Sequence, residues 1–120
     1  MSDLDNLVIE QGYVRIEEPP GFEVILEEQK FRLQVIAAAC RDSNTNKVLI
    51  TGSATTVNLS AIELLELAKE IAKLKLQVAL VVNTDISSGL ESFFVEMASN
   101  RGSPMRFFEN EEAAKDWLNI

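Results

Sequence analysis

The sequence predicts an α/β domain, a mixed sheet of about five strands flanked by helices, and two features of the chain carry that expectation. The first is one unit written twice: an apolar run, a short polar turn, then a serine opening an amphipathic stretch with glutamate three residues on. Val48-Leu49-Ile50 leads to Ser60 and Glu63, and Val78-Ala79-Leu80-Val81-Val82 leads to Ser88 and Glu91. Buried strands that feed capped helices build parallel sheets. The second is the alternation of apolar periodicities near 2 and near 3.6 along the whole chain, which leaves no room for a linker. The 120 residues therefore read as one domain with its core at about residues 7–118.

Leu7-Val8-Ile9-Glu10 and Tyr13-Val14-Arg15-Ile16-Glu17 read as two strands of a hairpin around Gln11-Gly12. Pro19-Pro20-Gly21 can continue neither a ladder nor a helix, so the chain must change direction there. From about Glu27 to Arg41, Leu33, Ile36, Ala37 and Cys40 recur at helical spacing, with Glu27 and Glu28 suiting the positive end and Arg41 the negative end. Residues 42–46 are a polar loop, and Lys47 to about Gly52 a strand buried on both faces. The next helix, about Ser60 to Lys73, carries its apolar stripe on Ala61, Leu64, Leu65, Ala68, Ile71 and Ala72. Val78–Val82 is a central strand. Leu90, Phe93, Phe94, Met97 and Ala98 mark a helix from about Ser88 to Arg101, stopped by Gly102 and Pro104. Met105–Phe108 is a last strand, and Asn110 caps a helix whose inner face is Ala113, Ala114, Trp117 and Leu118. The element order is ββαβαβαβα.

Composition narrows the function classes. Hydrophobic residues at 47% and charged ones at 25% are ordinary for a globular protein. The longest apolar runs, Val78–Val82 and Val35–Cys40, fall far short of the ~20 residues needed to cross a bilayer, so no membrane insertion is expected. The start, Met1-Ser2-Asp3-Leu4-Asp5, lacks the basic region of a secretory leader. A net charge of −8 with eleven scattered basic residues disfavours nucleic acid. The chain has no histidine and one cysteine, Cys40, which removes the commonest general base and the usual zinc ligands. No metal and no cofactor is expected. Cys40 lies on an apolar helical stripe and reads as a buried thiol in a reducing, cytoplasmic protein.

The order of elements, with Lys47-Val48-Leu49-Ile50, Val78–Val82 and the stretch from Asn100-Arg101-Gly102 through Met105-Arg106-Phe107-Phe108 to Glu112–Leu118, resembles the STAS superfamily. That superfamily comprises anti-sigma-factor antagonists and the cytoplasmic ends of sulfate transporters, and the chain is similar to its stand-alone, sporulation-antagonist-like branch. The resemblance implies a protein-interaction or regulatory module with a protein partner, a kinase-like regulator among the candidates. In antagonists of this kind, a serine opening the helix after the third strand accepts a phosphate within Asp-Ser-Ser-Gly-Leu. Here Asn58-Leu59-Ser60-Ala61-Ile62 holds that place, while the nearer match, Asp85-Ile86-Ser87-Ser88-Gly89-Leu90, falls one βα unit later. Counting elements makes Ser60 the equivalent position and the candidate phosphoacceptor.

Each candidate has a plainer structural role beside it. Ser60 with Glu63 and Ser88 with Glu91 both fit a capping box, which alone accounts for them. Ile62 and Leu67 fall off the expected core stripe and, with Asn58, form a candidate partner surface beside Ser60. Asn83, Thr84, Asp85, Ser87, Ser88 and Gly89 make a polar strand end that could hold a small apolar or nucleotide-like ligand, although Asp85 competes with any anion there. Trp117 reads as core by its spacing, and Arg101 as a complement to a helix C-terminus. The glutamates read as solvated faces, with no pair placed beside a nucleophile. The expectation is a non-enzymatic interaction module, alternatively a small-ligand carrier or sensor, as a monomer or homodimer.

Overall fold

The computed structural model describes residues 7–18, 22–24, 26–57, 60–84 and 96–120. Strand β1 (Leu7–Glu10) pairs antiparallel with β2 (Tyr13–Glu18) through a turn in which Gly12 takes φ +89°, a backbone conformation L side chains resist. Beyond it, β3 (Phe22–Val24), α1 (Leu26–Asp42), β4 (Lys47–Val57), α2 (Ala61–Leu74) and β5 (Gln77–Thr84) follow in order. Helix α3, described over residues 96–100, precedes β6 (Met105–Phe107) and α4 (Glu111–Leu118). The expected single α/β domain with a mixed sheet is present.

The strands lie in the order β1-β2-β4-β5-β6, all parallel except β1. Strand β3 was not expected from the sequence. It pairs with β4 at Phe22↔Thr55, and Thr55 also pairs with Thr84 of β5. It therefore occupies the same side of β4 as β2, and continues the line of β2 after an interruption. Proline offers no amide to a ladder, and the sequence places two prolines between these strands. Pro19, Pro20 and Gly21 themselves lie outside the described residues. The second departure is the length of β4, which runs five residues past the expected end at Gly52. Its Ala-Thr-Thr-Val tail has neighbours on both sides, and a register shift between Thr51 and Ala54 takes up the irregularity.

Strands that advance in one direction by right-handed crossovers place every connecting helix on one face. Leu33, Ile36 and Cys40 of α1, Leu67, Ala68 and Ile71 of α2 and Ala98 of α3 accordingly share a core with Val14, Ile16, Val48, Val78 and Met105. After β6, α4 folds back over the opposite face. There Ala114 and Leu118 meet Leu49 and Ala79 in a second, smaller core, as the doubly buried β4 and β5 require. Trp117 is half-buried against Phe108, with ring centroids 5.5 Å apart, while Ala113, expected on the inner face, is exposed.

Helices α1, α2 and α4 begin at the C-terminal ends of the strands and run back. For α4 two contacts show this: Lys47 Nζ donates to the Asn119 carbonyl at 3.4 Å, and Gln77 Nε2 to the Trp117 carbonyl at 3.2 Å. At the far end of α2, Lys75 caps the helix in the left-handed region (φ 56°, ψ 45°). Its ammonium reaches the Arg101 carbonyl at 3.1 Å, which places the Lys75 cation at the end of α3. Gly102 has φ +108°, a conformation that L side chains resist; a Cβ there would lie 2.7 Å from Lys75 Nζ, a contact the flexible lysine could relieve, so it is conformation that demands glycine.

Cys40 is buried as its spacing predicts, and burial pushes its thiol from the ordinary 9.0 up to about 11. A folded value above the unfolded one means that this contribution is complete below about pH 9 and is lost as pH rises through 11. Native protein at pH 8 should therefore react with a thiol-specific disulfide reagent no faster than it unfolds. Rapid reaction in native buffer would show that α1 opens locally.

Candidate functional site

The site the sequence singles out is built on the first turn of α2. Ser60 has extended backbone (φ −75°, ψ 168°), and its hydroxyl oxygen accepts from the Glu63 amide at 3.2 Å. In return the Ser60 amide donates to Glu63 Oε1 at 2.9 Å. The capping box is complete, and two of the helix's free amides are satisfied by local chemistry. Ser60 is exposed. Glu63 Oε1 is engaged by the Ser60 amide. The arrangement is a helix cap with an exposed hydroxyl.

Ser60→Ala should cost about 1 kcal/mol of stability, since alanine cannot accept from the Glu63 amide, whereas Ser60→Asp should stay within about 0.5 kcal/mol of the native protein. Thermal or urea unfolding of the three proteins checks this. Equal losses in both variants would mean the cap is not what Ser60 contributes.

Ile62, two residues into the helix, is 78% exposed. Leu67 is not part of that surface, contrary to expectation: it is 5% exposed and packs in the larger core. The buried arc of α2 is Leu64, Leu67, Ala68, Ile71 and Ala72, while Ala61 is exposed and Leu65 half-buried. Because α2 lies against α1 on one flank, its buried arc widens toward Leu67. Asn58 lies outside the described residues. So do Asp85, Ser87, Ser88 and Gly89 of the candidate ligand turn, and with them the second capping box. Asn83 and Thr84 are the last two residues of β5, paired with Ala54 and Thr55.

Around this end of the sheet the helix starts are acidic. Glu27 and Glu28 open α1, Glu63 lies in the first turn of α2, and Glu111 and Glu112 open α4. Lys30 on α1 pairs with Glu66 on α2 and lies 3.8 Å from Glu27, and these carboxylates hold its ammonium above its ordinary pKa. On the other face, Arg15 on β2 lies 2.7 Å from Glu111, which the guanidinium holds below the usual carboxylate range.

Two polar residues that the sequence reading passed over are buried. Arg32 is 7% exposed on the core side of α1 and donates from Nη1 to Gln29 Oε1 at 3.3 Å. Its signal was present: it precedes Ile36 by four and Cys40 by eight residues, on one stripe. Ser103 is fully buried, its hydroxyl donating to the Ile71 carbonyl and accepting from the Leu76 amide, both at 2.9 Å. No periodicity marks it. Among the described residues, no three His, Cys, Asp or Glu side chains are grouped to hold a metal ion, and no helix is long and apolar enough to cross a membrane.

Fold and site together define an α/β domain whose connecting helices share one face and whose second helix opens on an exposed, doubly hydrogen-bonded serine. The chain belongs to the family described as Domain of unknown function (DUF7793), whose model matches residues 8–120. No curated protein and no solved structure matches it significantly.

Proposed function

We propose that this domain is a protein-interaction or regulatory module that presents the Ser60 turn and the first turn of α2 to a protein partner. The observation that carries the reading is Ile62, a large apolar side chain 78% exposed beside an exposed capped serine. A lone exposed isoleucine is unremarkable by itself. Its place supports the reading: the element order resembles the STAS superfamily, in which this turn is the switch position, and Ser60 is then the candidate phosphoacceptor. A phosphate there would gain from the helix N-terminus and be opposed by Glu63, so it would break the capping box and change the surface it sits on. In this reading the module acts by binding, without catalytic chemistry of its own, in the cytoplasm, where a single buried thiol needs no disulfide partner.

The test is affinity capture from the native cell with three baits: the native protein, Ile62→Asp and Ser60→Asp. A partner held by the native bait and lost with Ile62→Asp is the expected result. Partners retained equally by all three baits would overturn the assignment of this surface.

A further inference from the structure

The common direction of the helices has an electrostatic consequence. Helices α1, α2 and α4 place acids at their starts and bases near their ends, as helix dipoles favour, and since these three start at the same end of the sheet the charges segregate into two poles. Glu27, Glu28, Glu63, Glu66, Glu111 and Glu112 gather at the C-terminal ends of the strands. Arg41, Lys47, Lys73, Lys75, Arg101 and Lys115 gather at the other, with Asp42 and Asp116 offsetting part of their charge. Helix N-termini in open α/β folds commonly receive anions. Here carboxylates already occupy them, and an arriving phosphate would meet repulsion.

On the outer side of α1 and α2 this acidic pole also carries the exposed apolar side chains. Lys30 bridges from α1 to Glu66 on α2. Phe31, the next residue on α1, is 53% exposed, and Ile62 lies one turn before Glu66. Two outward apolar side chains on adjacent, parallel helices thus flank an acidic seam formed by Glu27, Glu63 and Glu66. Lys30 in that seam is already paired, and Lys69, exposed one turn beyond Glu66 on α2, offsets part of the negative charge. We infer that this face receives a basic amphipathic helix of a partner protein, its apolar side lying on Phe31 and Ile62 and its lysines or arginines facing the glutamates. The inference rests on the proposed partner surface and adds the chemistry of the partner.

The probe is a labelled 14-residue helical peptide of leucine and lysine in amphipathic pattern, compared with its leucine and glutamate counterpart, read by fluorescence anisotropy. The lysine peptide should bind, with affinity falling as salt is raised, and the glutamate peptide should not. Glu27→Lys with Glu66→Lys should weaken binding about tenfold, while Asp42→Lys with Asp116→Lys, the same charge change at the opposite pole, should weaken it less than about threefold. Ile62→Ser should cost about fivefold. Glu27→Gln with Glu66→Gln, an intermediate loss, covers the case in which the lysine pair disturbs the fold, which circular dichroism would show. Equal weakening by both charge variants would reduce the effect to net-charge attraction and overturn the inference, as would indifference to Ile62→Ser or failure of the lysine peptide to bind. If a cellular partner is captured through Ile62 yet the lysine peptide does not bind, the surface stands and its cationic complement falls.

Discussion

Leu118→Ala is expected to cost about 3 kcal/mol, the largest effect of any single truncation on the α4 face of the sheet. Leu118 is fully buried in a cluster with Leu49, Ala79 and Ala114, and Tyr13, Val81, Phe108 and Trp117 pack against that cluster. Ala79 and Ala114 have no rotamer to swing into the space, while the partly buried aromatic side chains can close part of it, so the cost should lie in the lower half of the range of about 2–5 kcal/mol for such truncations. The loss should also be local in kind. Helix α4 has eight residues, too few to hold a helix without tertiary support, where about 12 or more are needed. Its other ties include the Trp117 ring against Phe108, the Gln77 bond to the Trp117 carbonyl, the Asn110 cap on the Ala113 amide at 2.8 Å and surface polar contacts such as Arg15 with Glu111. Surface pairs of that kind contribute about 0.5 kcal/mol each. Urea unfolding should show the stability loss, and hydrogen exchange should show α4 amides losing protection before those of α1 and α2. A loss below about 1 kcal/mol with α4 still protected would mean that the second core does not hold the helix.

Where periodicity alone decides an element, the sequence and the fold agree. Leu33, Ile36, Ala37 and Cys40 are buried as their spacing requires, and Ser60 and Asn110 cap the helices they precede. The hairpin at Gly12 was legible for the same reason, since the turn chemistry is local. Leu67 shows where such reasoning stops. The stripe on α2 is visible in the chain, but its width depends on neighbours that the chain does not order: with α1 alongside, a flanking leucine becomes core. Strand β3 and the tail of β4 depend likewise on non-local pairing, and a threonine-rich run after a glycine looks like a loop until both its edges have partners. The candidate site divides the same way. The capping box could be read from Ser60 and Glu63, whereas the polarity of the molecule could not, because it arises from the common direction of helices that are remote in sequence.

Ser103→Ala tests the most buried polar contact of the fold, and we expect it to cost about 2 kcal/mol. Removing one hydroxyl strands two backbone groups, the Leu76 amide and the Ile71 carbonyl, in a place no solvent reaches. The Leu76 amide is the heavier loss, because it stands between the left-handed cap at Lys75 and the start of β5, outside any helix or ladder. Ser99→Ala provides the comparison. Its hydroxyl also bridges backbone, accepting from the Met105 amide at 3.2 Å, but in a partly exposed setting where water can replace it, so about 0.5 kcal/mol is expected. Ser103→Thr should not rescue, since a methyl added at a site with no exposed surface overpacks its neighbours. Urea midpoints for the three variants decide the matter, and a Ser103→Ala loss no greater than that of Ser99→Ala would show that the buried amide finds another partner. The position of the clamp gives the result a second reading. Helix α2 carries Ser60 at one end and the Ile71 contact near the other, so loosening the Ser103 clamp should lower protection in the last turn of α2 while leaving the exposed box at Ser60 intact.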